Sequence, residues 1–66
     1  MIDAMKMAES YLKKVKIVDN NGREVIGVVD FYESEYDSGY GVPTIGIEGD
    51  EPFYRSDELR SLEILE

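Results

Sequence analysis

The sequence predicts a mainly β domain. Residues 1–14 form an N-terminal helical segment, and residues 15–66 a five-stranded antiparallel barrel with one helical turn between its fourth and fifth strands. Three observations carry this expectation. Apolar residues recur at helical spacing only at the start, in Ile2, Met5, Ala8 and Leu12. Beyond Lys14 the chain becomes short β-branched or aromatic runs separated by Gly, Asn, Asp and Pro. The longest run, from Arg23 to about Glu33, carries Gly27 in its interior. A chain of 66 residues is too short for two packed sheets, so a single sheet has to bend over its own core.

The helix is expected over residues 2–14, where strong helix formers fill the positions between the apolar ones. Asp3 near its start and Lys13 and Lys14 near its end suit the helix dipole. Val15, Ile17 and Asp19 then alternate with Lys16 and Val18 as a first strand. Asn20-Asn21-Gly22 is a tight-turn signal, because Asn and Gly tolerate positive φ. Within the long second strand, Gly27 is expected to be the corner at which the sheet turns. Residues 34–43, SEYDSGYGVP, read as a polar, glycine-rich loop. Thr44 to Glu48 is a third strand with its own interior glycine, Gly46. Gly49-Asp50 turns the chain into a fourth strand, Phe53-Tyr54-Arg55, with Pro52 at its start. Ser56 to Leu59 forms one helical turn with Ser56 as cap, and Leu62, Ile64 and Leu65 the last strand.

Composition narrows the chemistry. Without cysteine there is neither a disulfide nor a thiolate metal site. Without histidine the usual general base and the commonest transition-metal ligand are missing. Five serines are present, but none has a base to activate it, so no enzyme and no cofactor are expected. The charged start reads as neither a signal peptide nor a membrane span, so the expected location is cytoplasmic, with no membrane partner. Net charge is −8 and uneven. Residues 1–23 carry five basic and three acidic side chains, whereas residues 24–66 carry two arginines against twelve carboxylates. Such a field keeps a small domain soluble, repels phosphates and favours a basic or neutral partner.

Two segments resemble the Sm-like (LSM) family of small, SH3-like bent-sheet barrels. Gly22-Arg23, Gly27, the apolar Val29 and the aromatic-acid pair Tyr32-Glu33 follow that family's first motif, with Tyr36-Asp37 standing where Met-Asn is usual. Tyr54-Arg55-Ser56, then Leu59 and Leu62, follow the spacing of its second. The resemblance implies that a base could be held by Tyr36 for stacking, Asp37 for its edge and Arg55 for support. It also implies rings, closed by pairing the fourth strand with the fifth strand of the next subunit. Two departures weigh against RNA. Asp37 is an acceptor-only anion where the family has an amide, and Ser56 replaces a glycine. Glu33, Glu35, Asp57 and Glu58 would repel phosphate as well.

The functional expectation is therefore a non-enzymatic binding module for a protein or peptide, with candidate ligand residues Tyr36, Asp37, Tyr40, Arg55, Glu33 and Glu35. Tyr32 and Tyr54 are expected to wall the core with their hydroxyls in water, whereas the loop around Tyr36 and Tyr40 has little apolar surface to bury them. Glu33, Glu35 and Asp37 alternate as if on one strand face, which reads as a solvated face and not as a metal site. Gly22, Gly27 and Gly46 are structural candidates. RNA binding as a ring and mimicry of nucleic acid towards a basic protein are the alternatives. A weak homo-oligomer, strengthened by salt, is a further expectation.

Overall fold

A computed structural model describes all residues, Met1–Glu66. Helix α1, Ala4–Glu9, is much shorter than the expected 2–14. Asp3 caps it, its carboxylate accepting the Met5 N–H at 3.1 Å. The helix stops because tertiary hydrogen bonds take over the backbone. Leu12 adopts φ 66°, donates to the Val29 carbonyl at 2.7 Å, and Val29 donates back to Lys13 at 3.0 Å. Lys13 and Lys14 thus lie beyond the helix, leaving Lys6 as the basic residue of its last turn. The expected apolar stripe is also corrected. Met5 and Leu12 are exposed, Ile2 is half-buried, and Met7 is the residue α1 buries completely.

Five strands follow: β1 Lys14–Asp19, β2 Glu24–Glu33, β3 Thr44–Ile47, β4 Phe53–Arg55 and β5 Leu59–Ile64. A 3-10 turn, η1 Ser56–Glu58, joins the last two. The sheet order is β4-β3-β2-β1-β5, with every neighbouring pair antiparallel. The mainly β, five-stranded architecture is as expected, but the sheet does not close into a barrel: β4 and β5 are its two outer strands. The last strand starts at Leu59, ahead of the expected Leu62, and the helical turn ends one residue before Leu59. Ser56 is not the cap. It is buried within η1, donating its N–H to Pro43 O and accepting from Ile2 N–H, while Arg55 precedes the turn and the Glu58 carboxylate accepts the Arg55 N–H at 2.9 Å.

The long β2 strand serves two ladders. Its first half, Glu24 to Val28, pairs with β1, and its second half, Val29 to Glu33, pairs with β3. The register slips between Val29 and Phe31, a bulge at Asp30 that adds twist. Gly27 works by close approach: a Cβ there would lie 2.6 Å from Ile47 Cγ2. Gly46 does the same on the outer face, where a Cβ would meet the Phe53 ring at 2.9 Å and Phe31 Cβ at 3.2 Å. Above it the two rings stack with centroids 4.6 Å apart. Gly22, at φ 86°, supplies the positive φ of the β1–β2 turn, and Asp19 Oδ1 braces that turn by accepting the N–H groups of Asn21 and Arg23.

The core comprises nine residues: Met7, Val15, Ile17, Val29, Ile45, Ile47, Tyr54, Leu59 and Leu62. Tyr32 packs against it half-buried, as expected of a wall. No helix is long and apolar enough to cross a membrane.

Gly27→Val should lower stability by about 1–3 kcal/mol, because its Cβ would force the buried, β-branched Ile47 to shift. Urea unfolding measures this; an unchanged midpoint would contradict the close-approach role.

Candidate functional site

The candidate residues do not form one site. The carboxylates separate first, because β2 ends at Glu33. Glu35 and Asp37 fall in the loop beyond, so the three acids share no strand face, and no group of acidic residues is arranged to hold a metal ion. Asp37 accepts the Ser34 hydroxyl at 3.3 Å within a local turn. Glu35 borders a cleft against Met1, Ile2 and Ala4 instead. Tyr36 is 88% exposed at the loop tip.

Three of the candidates do converge. Glu33, Tyr40 and Arg55 line a cleft of about 410 Å³ together with Ser38, Thr44, Phe53 and Glu58. The loop is shaped for this. Ser38 Oγ donates to Val42 O at 2.6 Å and accepts the Tyr40 N–H at 3.2 Å, while Gly39 and Gly41 take positive φ on either side of Tyr40. The result presents the Tyr40 ring to the Arg55 guanidinium, 5.3 Å from ring centroid to Cζ. Phe53 reaches the same cleft because β4 alternates: Tyr54 turns into the core, leaving Phe53 and Arg55 outside. Thr44 lines the cleft as a buried residue whose Oγ1 has no hydrogen-bond partner.

The charge of the cleft is acidic despite Arg55. Its Nε donates to Asp57 Oδ1 at 2.9 Å and lies 3.9 Å from Glu58 Oε1. The Asp57 hydrogen bond is the main reason the guanidinium is held above its ordinary pKa. Arg55 is therefore already neutralised, and Glu33 remains without an ion pair. The arrangement expected from the Sm-like resemblance is not assembled here: the aromatic partner of Arg55 is Tyr40, and neither Tyr36 nor Asp37 lines the cleft.

A second polar cluster was not legible in the sequence. Arg23 donates to the Tyr54 hydroxyl at 2.8 Å and to Asp50 Oδ1 at 3.2 Å, and Tyr54 donates to Asp50 Oδ2 at 2.6 Å. It ties the β1–β2 turn to the β3–β4 turn and borders a cleft of about 320 Å³ on the other side of Phe53. The Tyr54 hydrogen bond, aided by Arg23, holds the Asp50 carboxyl below its ordinary range. Burial, then the Asp50 hydrogen bond and charge, push the Tyr54 phenol up. The Tyr54 hydroxyl is therefore not in water as expected: strand alternation sends the ring inward, and the hydroxyl takes Arg23 and Asp50 as partners.

Together these features define a small mainly β domain, five antiparallel strands after a short helix, with an acidic aromatic cleft at one outer strand. Comparison with protein-family models, with curated proteins and with solved structures finds no match.

Tyr54→Phe should cost about 1 kcal/mol near neutral pH by removing both hydroxyl hydrogen bonds. The pH dependence has a definite sign. A depressed Asp50 stabilises the fold above its unfolded value near 3.8 and loses that contribution as pH falls through the folded value. A raised Tyr54 contributes below 10.0 and loses its contribution as pH rises through the folded value. In Tyr54→Phe the Asp50 carboxyl should titrate at higher pH, read by carboxyl-carbon NMR; an unmoved titration would refute the coupling.

Proposed function

We propose that this domain is a divergent, acidic member of the Sm-like class and acts as a non-enzymatic binding module for a basic protein segment, in the cytoplasm. The carrying observation is the cleft itself. Two well-exposed aromatic residues, Tyr40 and Phe53, and two carboxylates, Glu33 and Glu58, border one concave surface in which the single cation is already paired. Aromatic rings supply rigid contact area at low entropic cost, and carboxylates speed encounter with a basic partner. Support for the Sm-like reading comes from the order of elements, the Gly22-Arg23 turn and the Gly27 contact.

RNA binding in a ring is the competing reading, favoured by the two outer strands β4 and β5, each with an unpaired edge. Three features oppose it. Arg55 is neutralised by Asp57, Ser56 is buried where the RNA would need close backbone approach, and Tyr36 stands apart from Arg55's cleft. Stacking on Tyr36 would contribute about 1–3 kcal/mol per base, without the phosphate contacts that supply most non-specific affinity.

Sedimentation velocity with a labelled U-rich RNA, at low and at physiological salt, tests both the ligand and the assembly. The expected outcome is free RNA at physiological salt and protein that self-associates weakly, more so as salt screens the net charge. Asp37→Asn should rescue little RNA binding, since the other acids remain. Micromolar or tighter RNA binding by the natural sequence would put the RNA function first, and a monomer at high concentration in both salts would remove the ring.

A further inference from the structure

From the seat that Arg55 occupies, we infer that the cleft between the 34–43 loop and β4 is a receptor for one arginine side chain of a basic, extended segment, and that Arg55 is its internal stand-in. The inference rests on the binding-module reading and names what that module would recognise. Tyr40 already holds a guanidinium 5.3 Å from its ring centroid, so the ring face has the placement a cation requires. The Arg55 side chain is anchored elsewhere, through Nε to Asp57 Oδ1 at 2.9 Å, and Asp57 does not line the cleft. Cζ is bonded directly to that Nε, so an incoming guanidinium takes the Tyr40 face only by displacing Arg55, at the cost of its Asp57 hydrogen bond.

What it would vacate suits a second guanidinium. Tyr40 and Phe53 provide aromatic surface, 64% and 61% exposed. Glu33 and Glu58 provide carboxylates on the lining, and a planar guanidinium can stack on a ring while donating to carboxylates at its edge. Thr44, only 3% exposed, adds a hydroxyl with no partner of its own. Charge complementarity favours the same occupant, since twelve of the fifteen acidic residues lie in residues 24–66, the stretch that builds the cleft. A phosphate-bearing ligand would meet Glu33 and Glu58 and find its one available cation already engaged.

The test is an amide NMR titration with a short Lys/Gly peptide carrying one central arginine, beside its twin with the uncharged isostere citrulline. The arginine peptide should shift the amides of Glu33, Tyr40, Thr44 and Phe53, and the twin should bind about fivefold more weakly or worse. Tyr40→Ala should weaken arginine-peptide binding by a similar factor. Arg55→Ala should tighten it several-fold by emptying the seat; Arg55→Gln serves as a second variant of similar size, and well-dispersed spectra confirm that both fold. Equal binding of the twin, or weaker binding by both Arg55 variants, would overturn the inference. Shifts confined to Tyr36 and Asp37 would overturn the cleft assignment and leave the binding-module reading standing; no binding of either peptide would remove both.

Discussion

The missing side chain at Gly27 is the constraint on which the rest of this structure depends. Its position on β2 faces the core, and Ile47 fills the space, its Cγ2 coming within 2.6 Å of where a Cβ would stand. Ile47 of β3 thus packs directly against β2 beside the point where β2 passes from its β1 ladder to its β3 ladder. The bulge at Asp30 then passes β2 from one ladder to the other. A domain this small buries only about 60% of the surface its unfolded chain exposes, so it relies on such bending to enclose a core at all. The nine core residues come from α1 and all five strands, joined by Leu59 at the start of β5.

Bending also decides where the polar groups meet. It brings the β1–β2 turn beside the β3–β4 turn, where Arg23, Tyr54 and Asp50 hydrogen-bond as a closed set. On the opposite flank of Phe53 it sets the 34–43 loop against β4, and Tyr40 meets Arg55 there. The two arginines of residues 24–66 are both committed internally: Arg55 to Asp57, and Arg60 to the Asn20 carbonyl at 3.0 Å. The negative field of residues 24–66 is therefore left to act on whatever approaches, which is the electrostatic basis of a basic partner.

Much of the fold was legible because its signals are local. Val15 and Ile17 alternate inward and Asn20-Asn21-Gly22 turns, whereas Gly27, expected as a corner, shows in the structure as a close approach of Ile47. The length of the helix was not legible, since it is cut short by hydrogen bonds that Leu12 and Lys13 make with Val29, distant in sequence. Closure of the barrel was expected from chain length and family likeness, yet η1 and the bulge carry the chain without bringing β4 and β5 into register. The site was legible only in part. Exposure of Tyr36 and Tyr40 followed from a loop without apolar neighbours, whereas the pairing of Arg55 with Tyr40 depends on the turn built by Ser38, Gly39 and Gly41. Strand alternation could have nominated Phe53 for the cleft, because Tyr54 beside it faces inward.

The most direct test of the central claim, that the sheet bends because Ile47 packs into the space left by Gly27, is a double-mutant cycle of Gly27→Ala with Ile47→Leu, read by urea unfolding. Leucine keeps the volume but has no branch at Cβ, so it removes the atom that an alanine Cβ would strike. Gly27→Ala should be destabilising in the natural sequence and markedly less so in the Ile47→Leu background, with a coupling of about 1 kcal/mol or more. Additivity of the two changes within about 0.5 kcal/mol would contradict it.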